Sequence, residues 1–154
     1  IFRSLNKFKG LKFRKQIIYN KGNLKIINDS KSTSFSSTIG LLYTYKNIYW
    51  IVGGMFKKAD KFNLEAKYYS NISAYVIGSN KNNFKNIFRK KIKFKYLVTL
   101  KKALLQIRID MKKNSSKKTI LFSPAAASFD QFKNFEERGE YFNKIVDKLI
   151  IKNQ

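Results

Sequence analysis

Short apolar runs alternate with amphipathic segments along this chain. The segments "FRKQIIYN" and "NLKIIND" flank the turn "KGN" around Gly22 and predict a β-hairpin. Four further apolar runs predict strands: "IYWIVGG", "SAYVIGS", "KFKYLVT" and "KTILFS". A continuous apolar run such as "IYWIV" is typical of a strand that is buried on both faces of a parallel sheet.

Helical spacing appears between these runs. In "TSFSSTIGLLYTY", Phe35, Ile39 and Leu42 share one helical face, and Thr33 or Ser34 can cap the helix. Other predicted helices are "KFNLEAKYY", "NNFKNIFRKK", "TLKKALLQIRIDMKK" and the long closing segment "QFKNFEERGEYFNKIVDKLIIK". Because strands alternate with helices, the pattern predicts an α/β fold with a mostly parallel sheet flanked by helices and an N-terminal β-hairpin.

Composition narrows the possible chemistry. The 154 residues contain neither cysteine nor histidine, which excludes a disulfide framework, a thiolate zinc site and a Ser/His or Cys/His nucleophile pair. No window approaches the roughly 18 apolar residues of a membrane span. The length corresponds to one domain. Because the chain begins with Ile1 and lacks the features of a signal peptide, we interpret it as a piece of a longer protein.

The net charge of +24 is the charge expected of a protein that binds nucleic acid or an anionic membrane. The basic residues are mostly lysines, however, and they are spread over four of the five predicted helices instead of forming one stripe. Arginine, the usual ligand of bases and phosphates, is scarce. We therefore interpret the lysines as solvated surface residues whose abundance reflects an AT-rich genome. Nucleic-acid binding remains an alternative.

Polar side chains follow three of the predicted strands. "NDSKSTS" supplies Asp29, Lys31 and Thr33, "GGMFKKAD" supplies Lys57, and "SPAAASFDQF" supplies Ser128. Each loop alone could be an ordinary turn or helix cap. Because ligands bind at the carboxyl ends of parallel strands, the three loops together predict a site for a small anion such as a carboxylate or phosphate.

These loops resemble motifs of one ligase family. "SPAAASFDQFKNFEERG" is similar to the C-terminal signature SPACASFDQFxxFExRG of the D-glutamate-adding (MurD-type) Mur ligases. "INDSKSTS" resembles NDSKATN, "IVGGMFKKAD" resembles GGxxKGAD, and "FKGLKFR" resembles the FxGLxHR that joins the central and C-terminal domains. The resemblance implies that residues 1–12 end the central domain or linker and that residues 13–154 form the Rossmann-like C-terminal domain.

The resemblance implies an ATP-dependent amide ligase of peptidoglycan synthesis in the bacterial cytoplasm. In this family ATP phosphorylates the carboxylate of UDP-N-acetylmuramoyl-L-alanine, and the amine of D-glutamate attacks the acyl phosphate. ATP and Mg²⁺ are held mainly by the central domain, over which the C-terminal domain closes. The chain alone is therefore expected to be inactive and to contain no catalytic residue. A related Mur ligase with another amino-acid substrate is a second alternative.

Matching the motifs implies roles for individual residues. Lys57 and Thr33 would hold one carboxylate of D-glutamate, and Ser128 with the backbone N–H of Phe135 would hold the other. Lys31 would lie beside them.

Two further residues, Arg14 and Asp29, would contact the nucleotide. This chain departs from the family nearby, because Phe13 stands where the family has a histidine and Gln16 stands where the family often has a glutamate. We expect these changes to remove two polar contacts and to weaken nucleotide contact more than D-glutamate binding. The loop around Lys57 is also expected to be bulkier than in the family because of Met55, Phe56 and Lys58.

Overall fold

The computed structural model describes residues 11–55, 57, 59–113 and 115–153. Most of the segment 1–12, which we predicted to end a preceding domain or linker, lies outside the described residues. Phe56 and Lys58, two of the bulky residues around Lys57, also lie outside them.

The described residues form a six-stranded sheet. Its order in space is β1-β2-β6-β3-β4-β5. The strands are β1 (Gln16–Lys21), β2 (Leu24–Asn28), β3 (Ile48–Gly53), β4 (Ile72–Ile77), β5 (Lys93–Val98) and β6 (Lys118–Phe122). Only β1 and β2 pair antiparallel, through the turn at Gly22, where φ is +53°; the other neighbours are parallel. The predicted fold class and the N-terminal hairpin are confirmed.

Four α-helices flank this sheet in the described part of the chain. They are α1 (Phe35–Thr44), α2 (Lys81–Phe88), α3 (Leu100–Met111) and α4 (Phe135–Leu149). Ser34 caps α1 by accepting a hydrogen bond from the Ser37 N–H, and Ser37 returns a bond to the Ser34 backbone. Of the two predicted cap residues, Thr33 and Ser34, the structure shows that Ser34 caps the helix.

Two predicted helices differ from those observed. "KFNLEAKYY" forms only a 3₁₀ helix at Ala66–Asn71. Phe62 and Leu64 before it are both buried, and this spacing of two residues suits an extended segment and not a helix. The last helix begins at Phe135 and not at Gln131, because the Asn134 side chain caps it by accepting from the Glu137 N–H.

Apolar layers cover both faces of the sheet. Under α1 and α2, Trp50 packs among aromatic rings. Under α3 and α4, Ile51 is buried, and Phe122 stacks on Phe142 with ring centroids 4.4 Å apart. Neighbouring residues of β3 therefore enter opposite layers, which confirms that this strand is buried on both faces. Packing on both faces holds the strands in place. It therefore also holds their carboxyl ends, where the polar loops begin.

Candidate functional site

Three loops meet at the carboxyl edge of the sheet. We call them the Asp29 loop (residues 29–34), the Lys57 loop (residues 54–61) and the Ser128 loop (residues 123–134). The Asp29 N–H donates to the Phe122 carbonyl at the end of β6 (2.7 Å). Met55 and Ala127 exchange two backbone hydrogen bonds of 2.9 and 3.2 Å. Backbone hydrogen bonds therefore join the Ser128 loop to the Lys57 loop. They also join the end of β6, the strand that precedes the Ser128 loop, to the start of the Asp29 loop.

A cleft of about 580 Å³ opens beside the N-terminus of α1. Four of the predicted site residues line it: Arg14, Asp29, Lys31 and Thr33. Arg14 precedes the sheet in sequence, yet the hairpin returns it to the same edge as Thr33. The cleft therefore brings together part of the expected grouping, namely the cationic side chains of Arg14 and Lys31 and the hydroxyl group of Thr33.

Lys31 lies against the start of α4. Its Nζ is 3.7 Å from the centroid of the Phe135 ring, which is a close cation–π contact. Phe135 is the first residue of α4, so no helical carbonyl is available to its N–H. The ammonium of Lys31 and the positive end of the α4 dipole thus lie close together, as a site for an anion requires.

Lys57, Ser128 and Phe135 do not line this cleft. Lys57 is exposed, whereas Ser128 is buried. The Met55–Ala127 pairing stands two residues before Lys57 and one residue before Ser128. These two residues therefore lie on adjacent loops that are joined by backbone hydrogen bonds, outside the lining of the cleft.

Asp29 is held by hydrogen bonds within the domain. Its carboxylate accepts from the Lys15 N–H (3.0 Å) and from the Ser123 hydroxyl (2.8 Å). Burial raises the pKa of this carboxyl group, and the two hydrogen bonds oppose the rise. The Ser123 hydroxyl also lies 2.8 Å from Thr38 Oγ1, which lies 2.7 Å from Ser32 Oγ. This chain of buried polar groups links Asp29 to the first turns of α1.

The chain is similar in sequence to known proteins of one kind. Models of protein families give no match to the chain. The chain is 38% identical over 150 residues to the UDP-N-acetylmuramoylalanine–D-glutamate ligase of Wolbachia from Brugia malayi. This alignment covers 97% of the chain and 30% of the relative. The ligases of the same name from Bartonella henselae and Rickettsia bellii are both 36% identical to it, over 148 and 151 residues. These alignments cover 96% and 97% of this chain and 32% and 33% of the relatives.

The chain is homologous to these D-glutamate ligases. It spans about a third of the length of the curated relatives and matches their C-terminal portion. The predicted resemblance is confirmed, and the match favours the D-glutamate ligase interpretation over both alternatives. In the described residues, no helix is long and apolar enough to cross a membrane.

Arg138 was not predicted from the sequence as a site residue, because its acidic neighbours suggested a solvated helix face. Only 1% of Arg138 is exposed. It donates to the Ser30 carbonyl (2.7 Å), the Ala126 carbonyl (3.0 Å) and the Ser30 hydroxyl (3.1 Å). Burial lowers its pKa to about 10, so it stays charged at neutral pH. Arg138 thus joins the Asp29 loop to the Ser128 loop. Its spacing of four residues before the buried Phe142 was a signal that it faces inward.

The segment around the start of β1 differs from the ligase family at Phe13, where the family has a histidine, and at Gln16, where it often has a glutamate. Phe13 is buried, and its ring occupies the space where a side chain at position 139 would begin, so Gly139 is needed there. The Gln16 side chain accepts from the Phe13 N–H (3.3 Å), and the Lys31 N–H donates to the Phe13 carbonyl (3.0 Å). Phe13 therefore packs against α4 and supports Lys31, while Gln16 retains a polar contact.

Proposed function

We propose that residues 13–154 form the amino-acid-binding domain of an ATP-dependent ligase that adds D-glutamate to UDP-N-acetylmuramoyl-L-alanine in the bacterial cytoplasm. Residues 1–12 would connect it to a central domain. The observation that carries the proposal is the meeting of three loops with cationic and hydroxyl groups at one sheet edge, in a chain that is homologous to D-glutamate ligases.

D-Glutamate has two carboxylates, and the edge offers two groups of ligands for them. Thr33 and Lys57 would hold one carboxylate. Ser128 and the N–H of Phe135 would hold the other, with Lys31 beside them. The ammonium of Lys31 over the Phe135 ring supports the second group, because it adds a positive charge at the helix N-terminus. The pairing of Met55 with Ala127 supports the adjacency of the two groups.

On the nucleotide side, we propose that Arg14 contacts a phosphate of ATP and that Asp29 lies next to it. Both line the cleft, and Arg14 is exposed there. The described residues include no group of three carboxylate side chains that could hold a metal ion. We propose that ATP and Mg²⁺ are bound mainly by the central domain of the full-length protein, as the family resemblance implies.

The residues of this chain would contribute orientation to the reaction. They would fix both carboxylates of D-glutamate so that its amine faces the activated carbonyl, at which a C–N bond forms while phosphate leaves. Closure of the domain over ATP would exclude water from that step. Because binding and closure are the only tasks of this domain, the 154 residues alone are expected to show no ligase activity.

The function is tested with the full-length protein that contains this chain. We expect ATP-dependent joining of D-glutamate to UDP-N-acetylmuramoyl-L-alanine, measured as phosphate release and product mass. L-Lysine and diaminopimelate, offered separately, should be poor substrates. A preference for either of them over D-glutamate would contradict the proposal.

Variants test the site assignment. Lys57→Ala and Ser128→Ala should each raise the KM for D-glutamate about 10- to 100-fold, because each removes a hydrogen bond to a charged group. The KM for ATP should stay unchanged. Lys101→Ala, which removes an exposed lysine of α3, is the matched control. Normal D-glutamate kinetics in both site variants would show that the assignment is wrong.

A further inference from the structure

Asp60 joins two of the site loops. Its carboxylate Oδ2 accepts a hydrogen bond of 2.6 Å from the backbone N–H of Phe35, the first residue of α1. Its own N–H donates to the Lys57 carbonyl (3.0 Å). One residue thus holds the backbone of Lys57 on one side and the helix that follows Thr33 on the other.

The electrostatics of α1 favour a carboxylate at this position. The first turn of α1 contains no acidic residue, so its N-terminal dipole is not balanced from within the helix. Ser34 already accepts from the Ser37 N–H, which leaves the N–H of Phe35 for an acceptor from elsewhere in the fold. Asp60 provides that acceptor together with a negative charge.

Packing fixes the chain on either side of Asp60. Phe62 is buried with its ring centroid 5.2 Å from that of Phe35, and it stacks on Trp50 at 5.9 Å. On the other side, Met55 pairs with Ala127 of the Ser128 loop. Lys57 therefore lies between an anchor to the Ser128 loop and an anchor to α1.

We propose that Asp60 is a positioning residue that sets Lys57 against Thr33, and so shapes the subsite for one carboxylate of D-glutamate. The proposal rests on the proposed function of the domain. Asp60 touches no substrate in this arrangement. It acts by holding two backbones in register, and the expected consequence of its loss is weaker amino-acid binding with unaltered nucleotide binding.

The test uses the full-length protein with Asp60→Ala and Asp60→Asn. Asp60→Ala should raise the KM for D-glutamate about tenfold, because a small displacement of Lys57 weakens its contact, and should leave the KM for ATP unchanged. Asp60→Asn keeps an oxygen acceptor for the Phe35 N–H and should recover most of the affinity. Glu65→Ala is the matched control, because it removes an exposed acidic side chain from the same connection, where that side chain forms an ion pair with the exposed Lys67.

Two kinetic outcomes would overturn the proposal: an unchanged KM for D-glutamate in Asp60→Ala, or an equal rise in KM for all three substrates. Hydrogen exchange of peptides 33–40 and 54–62 in the full-length protein gives a readout that needs no activity. Both peptides should exchange faster in Asp60→Ala than in Glu65→Ala, and equal exchange would overturn the proposal. If the wild-type protein does not use D-glutamate at all, the proposed function fails, whatever the exchange shows about Asp60.

Discussion

Replacement of Arg138 by alanine is expected to lower the free energy of unfolding by about 3 kcal/mol. The change leaves the Ser30 and Ala126 carbonyls without their donor in the interior, and it opens a cavity beside Phe122, whose ring centroid lies 6.0 Å from the guanidinium carbon. The cost of burying the guanidinium, which lowers its pKa to about 10, offsets part of this loss. The loops that Arg138 joins should loosen together.

Urea unfolding of the chain measures the effect as a lower midpoint at constant slope. Arg138→Lys should recover little of the loss, because an ammonium cannot reach the two carbonyls and the Ser30 hydroxyl with the geometry of a guanidinium. Arg89→Ala removes an exposed arginine just after α2 and should change stability by less than about 0.5 kcal/mol. Equal urea midpoints for the Arg138→Ala and Arg89→Ala variants would refute the role of Arg138 in joining the two loops.

Gly54→Ala is expected to destabilise the chain by about 3 kcal/mol, since strain in the backbone adds to a steric clash. Gly54 has φ +136°, a conformation that side chains disfavour, and a Cβ there would overlap the Ala127 carbonyl oxygen. That oxygen accepts the Met55 N–H in the pairing between the Lys57 and Ser128 loops. The substitution should therefore also raise the KM for D-glutamate in the full-length protein.

Gly40→Ala is a control that should change the free energy of unfolding in the opposite direction. Gly40 lies inside α1, and a Cβ there meets no atom within 4 Å. The exchange should stabilise the chain by about 0.5–1 kcal/mol, because glycine has the lower helix propensity. The two glycine variants are compared by their urea midpoints. A Gly54→Ala midpoint equal to or above that of wild type would show that the loop pairing tolerates displacement.

Two predicted helices differ from the observed ones for different reasons. The segment around Phe62 has composition and length suited to a helix, yet two apolar side chains at a spacing of two enter the aromatic layer under α1. Tertiary packing thus overrode local propensity. The start of α4 moved to Phe135 because Asn134 caps it, while the Gln131 and Phe132 N–H groups turn back to the Ser128 carbonyl.

The sequence alone determined the strands, most helices, the fold class, the similarity to D-glutamate ligases and the loops that meet at the carboxyl edge. Those features depend on periodicity and on motifs that lie within one stretch of chain. Only the tertiary structure showed that Arg138 joins two loops from the buried face of α4, and that Asp60 caps a helix 25 residues earlier. Hydrogen bonds to backbone groups leave little trace in sequence, because every residue supplies a carbonyl and every residue except proline supplies an N–H. The partner of a polar side chain is therefore decided by the packing that brings distant backbones together.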